Sequence, residues 1–145
     1  MHDSRFQPYQ LYSGGIDRAT RFWVDALGFS KMGVFERTLP WVEKVTAVSG
    51  ARIRVAKLSG YGHVMEFIEY ENGKGELASA PANWPGTAHI CIDVVDIDAT
   101  FEKLIAAGAT PLGEMTVIED PAMSPCAAGY LRDPNGIIIE LFEKL

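Results

Sequence analysis

This chain of 145 residues is informative first for what it lacks. No apolar run approaches the ~20 residues that a membrane-spanning helix requires, so no membrane partner is expected. Only two cysteines are present, Cys91 and Cys126, which make neither a disulfide framework nor a closely spaced redox or metal pair. There is no basic cluster, and 13 Lys and Arg against 19 Asp and Glu leave a net charge of -6. That balance argues against nucleic acid or an anionic membrane surface as partner. The start, Met1-His2-Asp3-Ser4-Arg5, lacks the apolar stretch of a secretory signal. These absences predict a cytoplasmic protein. Composition is that of a globular domain, 48% hydrophobic and 22% charged, and the length suits one compact domain or two small halves sharing a core.

What is present centres on Ile137-Ile138-Ile139-Glu140-Leu141-Phe142, an apolar run with one carboxylate inside it. It follows Asp133-Pro134-Asn135-Gly136, in which Asp opens a turn, Pro presets φ and Gly closes it. The run therefore predicts a strand, with Ile138, Glu140 and Phe142 on one face and Ile137, Ile139 and Leu141 on the other. A carboxylate between Ile and Phe is costly unless it is paired, metal-bound or led out to solvent. Val64-Met65-Glu66-Phe67-Ile68-Glu69-Tyr70 repeats this pattern 74 residues earlier, which suggests an internal duplication.

The rest of the chain can be divided on that basis. Pro8 to Ser13 predicts a short strand. Ile16, Ala19, Trp23 and Leu27 recur at helical spacing, and Gly28 closes a helix over 16–27. Strands are expected over 31–37, 51–58 and 64–70, and Trp41, Val45 and Val48 are placed to line a short helix if 39–48 is one. Residues 71–86, rich in Gly, Ala, Pro and Asn, read as a linker. Beyond it come a strand over 87–95, with His89, Cys91 and Asp93 on one face, and a helix capped by Asp96 and stopped by Gly108. A strand over 109–116, a loop over 117–128 that contains Cys126, and a strand over 129–132 complete the chain. Arg132 and Asp133 are expected to form a turn ion pair, and Arg52 and Arg54 to lie on a solvated strand face. Each half is thus strand, helix and about three strands: βαβββ twice, an α+β fold. The bounds are about 8–71 for module one, 72–86 for the linker and 87–145 for module two. The two modules are expected to curl into an open, mostly antiparallel, barrel-like cleft with helices outside.

The repeat makes Glu66 and Glu140 equivalent and puts His89 on the first strand of module two. Two carboxylates and an imidazole suit a divalent cation such as Zn, Mn, Fe, Co or Ni. For His89 alone, a hydrogen-bonded core histidine is the ordinary alternative.

Four segments, GGIDRATRFWVDALGF (14–29), VMEFIEY (64–70), GTAHICIDVVDIDATFEKLIAAGA (86–109) and YLRDPNGIIIELFE (130–143), resemble the vicinal oxygen chelate superfamily. Glyoxalase I, methylmalonyl-CoA epimerase, the extradiol dioxygenases and the bleomycin and fosfomycin resistance proteins belong to it. The resemblance implies a small-molecule substrate, a metal held by Glu66, His89 and Glu140, and Glu140 or Glu66 as catalytic base in a lyase, isomerase or epimerase. The metal would stabilise an enolate or enediolate of a substrate chelated through neighbouring oxygens. It also implies a homodimer. One position departs from the pattern: at a shift of 81 the partner of His89 is Pro8, which has no ligating side chain, although Gln10 shares its face and His2 lies on the preceding arm. A metal-free, drug-binding protein of the bleomycin-resistance type is the alternative.

Overall fold

The computed structural model describes residues 7–72 and 75–145. The proposed role of His2 falls outside the described residues. Two sheets carry the fold. The first has the order β1-β4-β3-β2, from β1 (Tyr9–Tyr12), β2 (Ser30–Arg37), β3 (Ile53–Gly60) and β4 (His63–Tyr70). The second has the order β5-β9-β8-β6, with β7 also on β8, from β5 (His89–Asp93), β6 (Thr110–Pro111), β7 (Thr116–Ile118), β8 (Cys126–Arg132) and β9 (Ile138–Lys144). In each sheet the first strand of the module runs parallel to the last, β1 beside β4 and β5 beside β9, and the other pairs are antiparallel. The fold is α+β, as expected, with two open sheets and no closed barrel. The expected strand over 109–116 is instead two short pieces, β6 and β7.

Strand alternation divides each sheet into two faces. Met65 and Phe67 of β4, Ala56 and Leu58 of β3, and Ile139, Leu141 and Leu131 of β9 and β8 share one core with α1 (Ile16–Arg21) and α3 (Ile97–Ala106). This single apolar cluster joins the two modules. Helix α3 starts where the sequence places it, with the Asp96 side chain accepting from Ala99 N at 2.9 Å. Each helix start also receives a carboxylate from its own module's last strand: Glu69 Oε2 accepts from Ile16 N at 3.3 Å, and Glu143 Oε2 from Ile97 N at 3.0 Å. Both acids compensate unpaired amide groups at a helix N-terminus, where negative charge is favoured.

The expected helix over 16–27 changes character. After Arg21 it continues as a π-helical stretch, Phe22–Ala26. Adjacent Phe22 and Trp23 are both buried there. Trp23 is fully buried, with ring centroids 5.3 Å from both Phe29 and Phe67. Its Nε1 donates to Asp133 Oδ2 at 3.0 Å, in the turn of module two.

That turn therefore has a role beyond the one read from its residues. Asp133 Oδ1 accepts from Asn135 N and Ile137 N, both at 2.8 Å, while Oδ2 takes the indole. Arg18 Nε and Nη2 both donate to Asn135 Oδ1, at 3.1 and 3.0 Å. The expected Arg132–Asp133 ion pair is not what forms. Arg132 donates instead to the carbonyls of Ala78, Ala80 and Gly136, because Asp133 points inward and the linker's unpaired carbonyls lie within reach. Gly136 has φ 92° and a Cβ there would fall 2.7 Å from Ala78 O, so only glycine fits between turn and linker.

Helix α2 (Trp41–Thr46) settles the ambiguous stretch, with a difference of face. Val42 is the residue it buries, against Ile53, Val55 and Ile68, whereas Trp41 and Val45 are exposed. Cys126 also differs from expectation. It opens β8 and is buried, because that strand begins earlier than the loop reading allowed. His63 opens β4 opposite Gly60. Arg54 is only partly solvated: it lies 3.4 Å from Glu69 Oε2 and 3.6 Å from Asp17 Oδ2, while Arg52 pairs with Glu71 at 2.9 Å.

Candidate functional site

The face of each sheet turned away from the shared core carries a matching row of polar groups. In module two, Cys91 of β5, Glu140 of β9 and Tyr130 of β8 stand side by side in register. In module one the equivalent row is Gln10 of β1, Glu66 of β4 and Lys57 of β3. The repeat thus puts an acid on the middle strand of both rows and different partners around it.

Around Glu140 the partners are proton-bearing. His89, one pleat from Cys91, brings Nε2 to 2.9 Å from Glu140 Oε2, and its ring meets Tyr130 edge-on with centroids 5.2 Å apart. Cys91 and Tyr130 flank Glu140 on the neighbouring strands. Loss of solvent around Cys91, reinforced by the Glu140 charge, pushes its thiol up to about 11. The same two causes, in the same order, raise the Tyr130 phenol. At neutral pH both stay protonated. The arrangement gathers a carboxylate, an imidazole, a thiol and a phenol on one face of the sheet.

Around Glu66 the partners are different. Lys57 Nζ lies 2.9 Å from Oε1, and Gln10 Nε2 donates to Oε2 at 3.2 Å. Both carboxylate oxygens are taken, one by an ammonium. Gln10, which the sequence offered as a source of an amide oxygen for a metal, turns its amide N–H toward the acid instead.

Of the three residues expected to meet at a metal, the structure therefore joins His89 to Glu140 and pairs Glu66 with Lys57 and Gln10. Among the described residues, no group of three or more His, Cys, Asp or Glu side chains is placed to hold a metal ion. Lys57, Tyr130 and the role of Cys91 were not drawn from the sequence. The signal was available in part: Lys57 continues the Ile53, Val55 face of its strand, and an offset of 73 relates it to Tyr130.

Two cavities adjoin these rows. One, of about 490 Å³, lies between β1 and β5 and is lined by Gln10, His89 and Cys91 with Tyr9, Phe29 and Tyr61. The other, of about 450 Å³, opens on module one over Lys57, Glu66 and Gln10. Gln10 lines both.

The family model described as Glyoxalase/Bleomycin resistance protein/Dioxygenase superfamily matches residues 5–141. The chain belongs to this superfamily. Solved structures agree in fold. A glyoxalase family protein from Bacillus cereus superposes with TM-score 0.83 at 24% identity, covering 100% of this chain and 99% of that one. One from Enterococcus faecalis gives 0.66 at 17%, covering 99% and 100%. A glyoxalase/bleomycin resistance protein/dioxygenase family enzyme from Burkholderia phytofirmans gives 0.62 at 14%, covering 94% and 95%. At these identities the likeness is one of fold. No protein of curated function matches the sequence. No helix among the described residues is long and apolar enough to cross a membrane.

The superfamily implies a divalent metal, and the donor set can be tested against it. His89 Nε2 and Glu140 Oε2, 2.9 Å apart, have the separation of two neighbouring ligands on one cation, given metal–ligand bonds of about 2.1 Å. Glu66 does not fit as it stands. A divalent ion reaching its carboxylate must displace Lys57 from Oε1, or displace Gln10 from Oε2 and share the carboxylate with a like charge. Two donors without a third do not make a resident site of the usual kind.

Proposed function

We propose that the protein is a small-molecule-binding member of the superfamily that works without a resident metal on Glu66. The observation that carries this reading is the Lys57–Glu66 pair at 2.9 Å: the positive charge that the module-one acid needs is supplied by the chain itself. Under this reading Gln10, Glu66 and Lys57 offer a ligand an amide and a charged pair, and the two cavities, each of a few hundred Å³, are of the size that small ligands fill. Glu140, with His89 at hydrogen-bonding distance, is the group that would take a proton from a bound ligand if the site performs chemistry.

A second reading keeps the metal-dependent lyase, isomerase or epimerase. It is favoured by the His89–Glu140 spacing, with Glu66 as third ligand. A homodimer does not rescue it simply, since Glu66 of the partner subunit would bring its own lysine along. Metal analysis separates the two readings. Protein purified without chelator, then soaked in Zn, Ni, Co and Mn and desalted, is expected to retain far less than one equivalent. One tightly held equivalent per chain, lost in both Glu66→Gln and His89→Ala, would establish the second reading instead.

A further inference from the structure

The cavity over module one holds more than the charged row. Tyr12 and Tyr70 stack with centroids 5.7 Å apart and planes 28° from parallel. Phe35 and Trp41 complete an aromatic lining, and Trp41 remains 45% exposed. Burying rings is strongly favourable, so four of them left around an open cavity of about 450 Å³ are an unfilled recognition surface.

Charge at the cavity decides what would fill it. Arg37 lies over the Phe35 ring at 5.5 Å and donates from Nη1 to its neighbour's carbonyl, Glu36 O, at 3.0 Å. Among the described residues no carboxylate lies within ion-pair distance of it, whereas Arg52, Arg54 and Lys57 on the adjacent strand all have one. The cavity thus has Arg37 and Lys57 against Glu66 alone, a local excess of one positive charge in a chain whose net charge is -6. Both oxygens of Glu66 are already engaged, so the acid has little left to offer a cationic ligand. A planar guanidinium with free donors is suited to a carboxylate, which it can grip through two parallel hydrogen bonds.

We propose that the module-one cavity binds a flat aromatic carboxylate, with the ring among Tyr12, Tyr70, Phe35 and Trp41 and the carboxylate on Arg37. This rests on the small-molecule-binding reading and names its ligand class. Lys57 stands farther along the same wall, where its pairing with Glu66 leaves it to orient a polar substituent on the ring rather than to hold the anion.

The test is calorimetric titration of the full chain with three probes: naphthalene-2-carboxylate, the neutral naphthalene-2-carboxamide, and phenyltrimethylammonium. The carboxylate is expected to bind about tenfold or more tighter than the amide, the worth of a charge-assisted pair, and to weaken with added salt. Arg37→Met, at an exposed position, should abolish that preference by weakening the acid more than the amide, and Trp41→Ala should weaken both. Equal affinity for acid and amide, strongest binding by the ammonium probe, or full retention of the preference in Arg37→Met would each overturn the assignment. If all three probes bind equally and Trp41→Ala weakens them all, the anionic class fails while small-molecule binding stands. If none binds and Trp41 is shielded from acrylamide quenching, a second copy covers this face and the assignment fails. The small-molecule reading is then judged by the metal analysis alone.

Discussion

Asp133 makes a demanding test of how the two modules are held together. Its carboxylate is buried and accepts three N–H groups: the Trp23 indole, and the backbone amides of Asn135 and Ile137. Burial nevertheless dominates and raises its pKa above the ordinary carboxylate value, with the hydrogen bonds opposing. Asp133→Asn keeps an oxygen for the two turn amides but turns an NH₂ toward the indole N–H. One buried donor is then unsatisfied, at a cost of about 1–3 kcal/mol. Asp133→Ala strands all three donors, and about 3–5 kcal/mol is expected, a large share of a typical domain's stability. Urea unfolding measures both. With a slope of about 2 kcal/mol/M the midpoint should fall by roughly 0.5–1.5 M for Asn and 1.5–2.5 M for Ala. Trp23→Phe removes the indole donor, so in the double variant with Asp133→Asn the clash disappears and the losses should fall short of additive by about 1–2 kcal/mol. The pH dependence has a definite sign. A raised folded pKa means that the folded state holds the proton more tightly, so this group's contribution is greatest below the unfolded value near 4 and declines as pH rises through the folded value. The deficit of Asp133→Asn relative to the parent should therefore be larger at pH 4 than at pH 7. A deficit under about 0.5 kcal/mol, additive losses, or the opposite pH trend would refute this account of the turn.

Other expectations follow from the same geometry. Iodoacetamide should modify Cys91 slowly at pH 7.5 and faster as pH approaches 11, and Glu140→Gln should shift that profile to lower pH by removing the charge that disfavours the thiolate; an unchanged profile in the variant would show that Glu140 does not act on the thiol. Gly136→Ala should cost more than about 1 kcal/mol in urea unfolding, because its backbone is left-handed and the linker carbonyl leaves no room; a neutral result would mean that turn and linker part readily. We also propose a homodimer, as the family resemblance implies, and sedimentation equilibrium should give twice the chain mass; a monomer at all concentrations would contradict it.

How much of this was legible beforehand depended on whether local pattern or partner geometry decided the outcome. The strands β4 and β9, apolar runs that each follow a glycine-bearing turn, and helix α3 with its Asp96 cap and Gly108 stop, announced themselves because turn chemistry and capping are local properties. The π-helical stretch did not, since Phe22 and Trp23 both being core residues follows from what Phe29, Phe67 and Asp133 require of them. In α2 the spacing of Trp41, Val45 and Val48 suggested an apolar face, yet within the helix it is Val42 that is buried, against Ile53, Val55 and Ile68 of the sheet, which the helix's own sequence does not reveal. Arg132 and Asp133 are neighbours in sequence but bond in opposite directions, one to the linker and one to the core. At the site, the repeat located Glu66, His89 and Glu140 by position. It was silent on Lys57, whose ammonium changes what Glu66 can hold. Register across β3 and β4, which no single strand encodes, puts the two in contact.

The central claim is that Lys57 stands in for a metal beside Glu66, and equilibrium dialysis of Zn against the parent chain and Lys57→Met tests it most directly. The account predicts that the parent retains far less than one equivalent and that Lys57→Met, with its carboxylate freed, binds Zn measurably more tightly. One equivalent held tightly by the parent, with no gain in Lys57→Met, would contradict it.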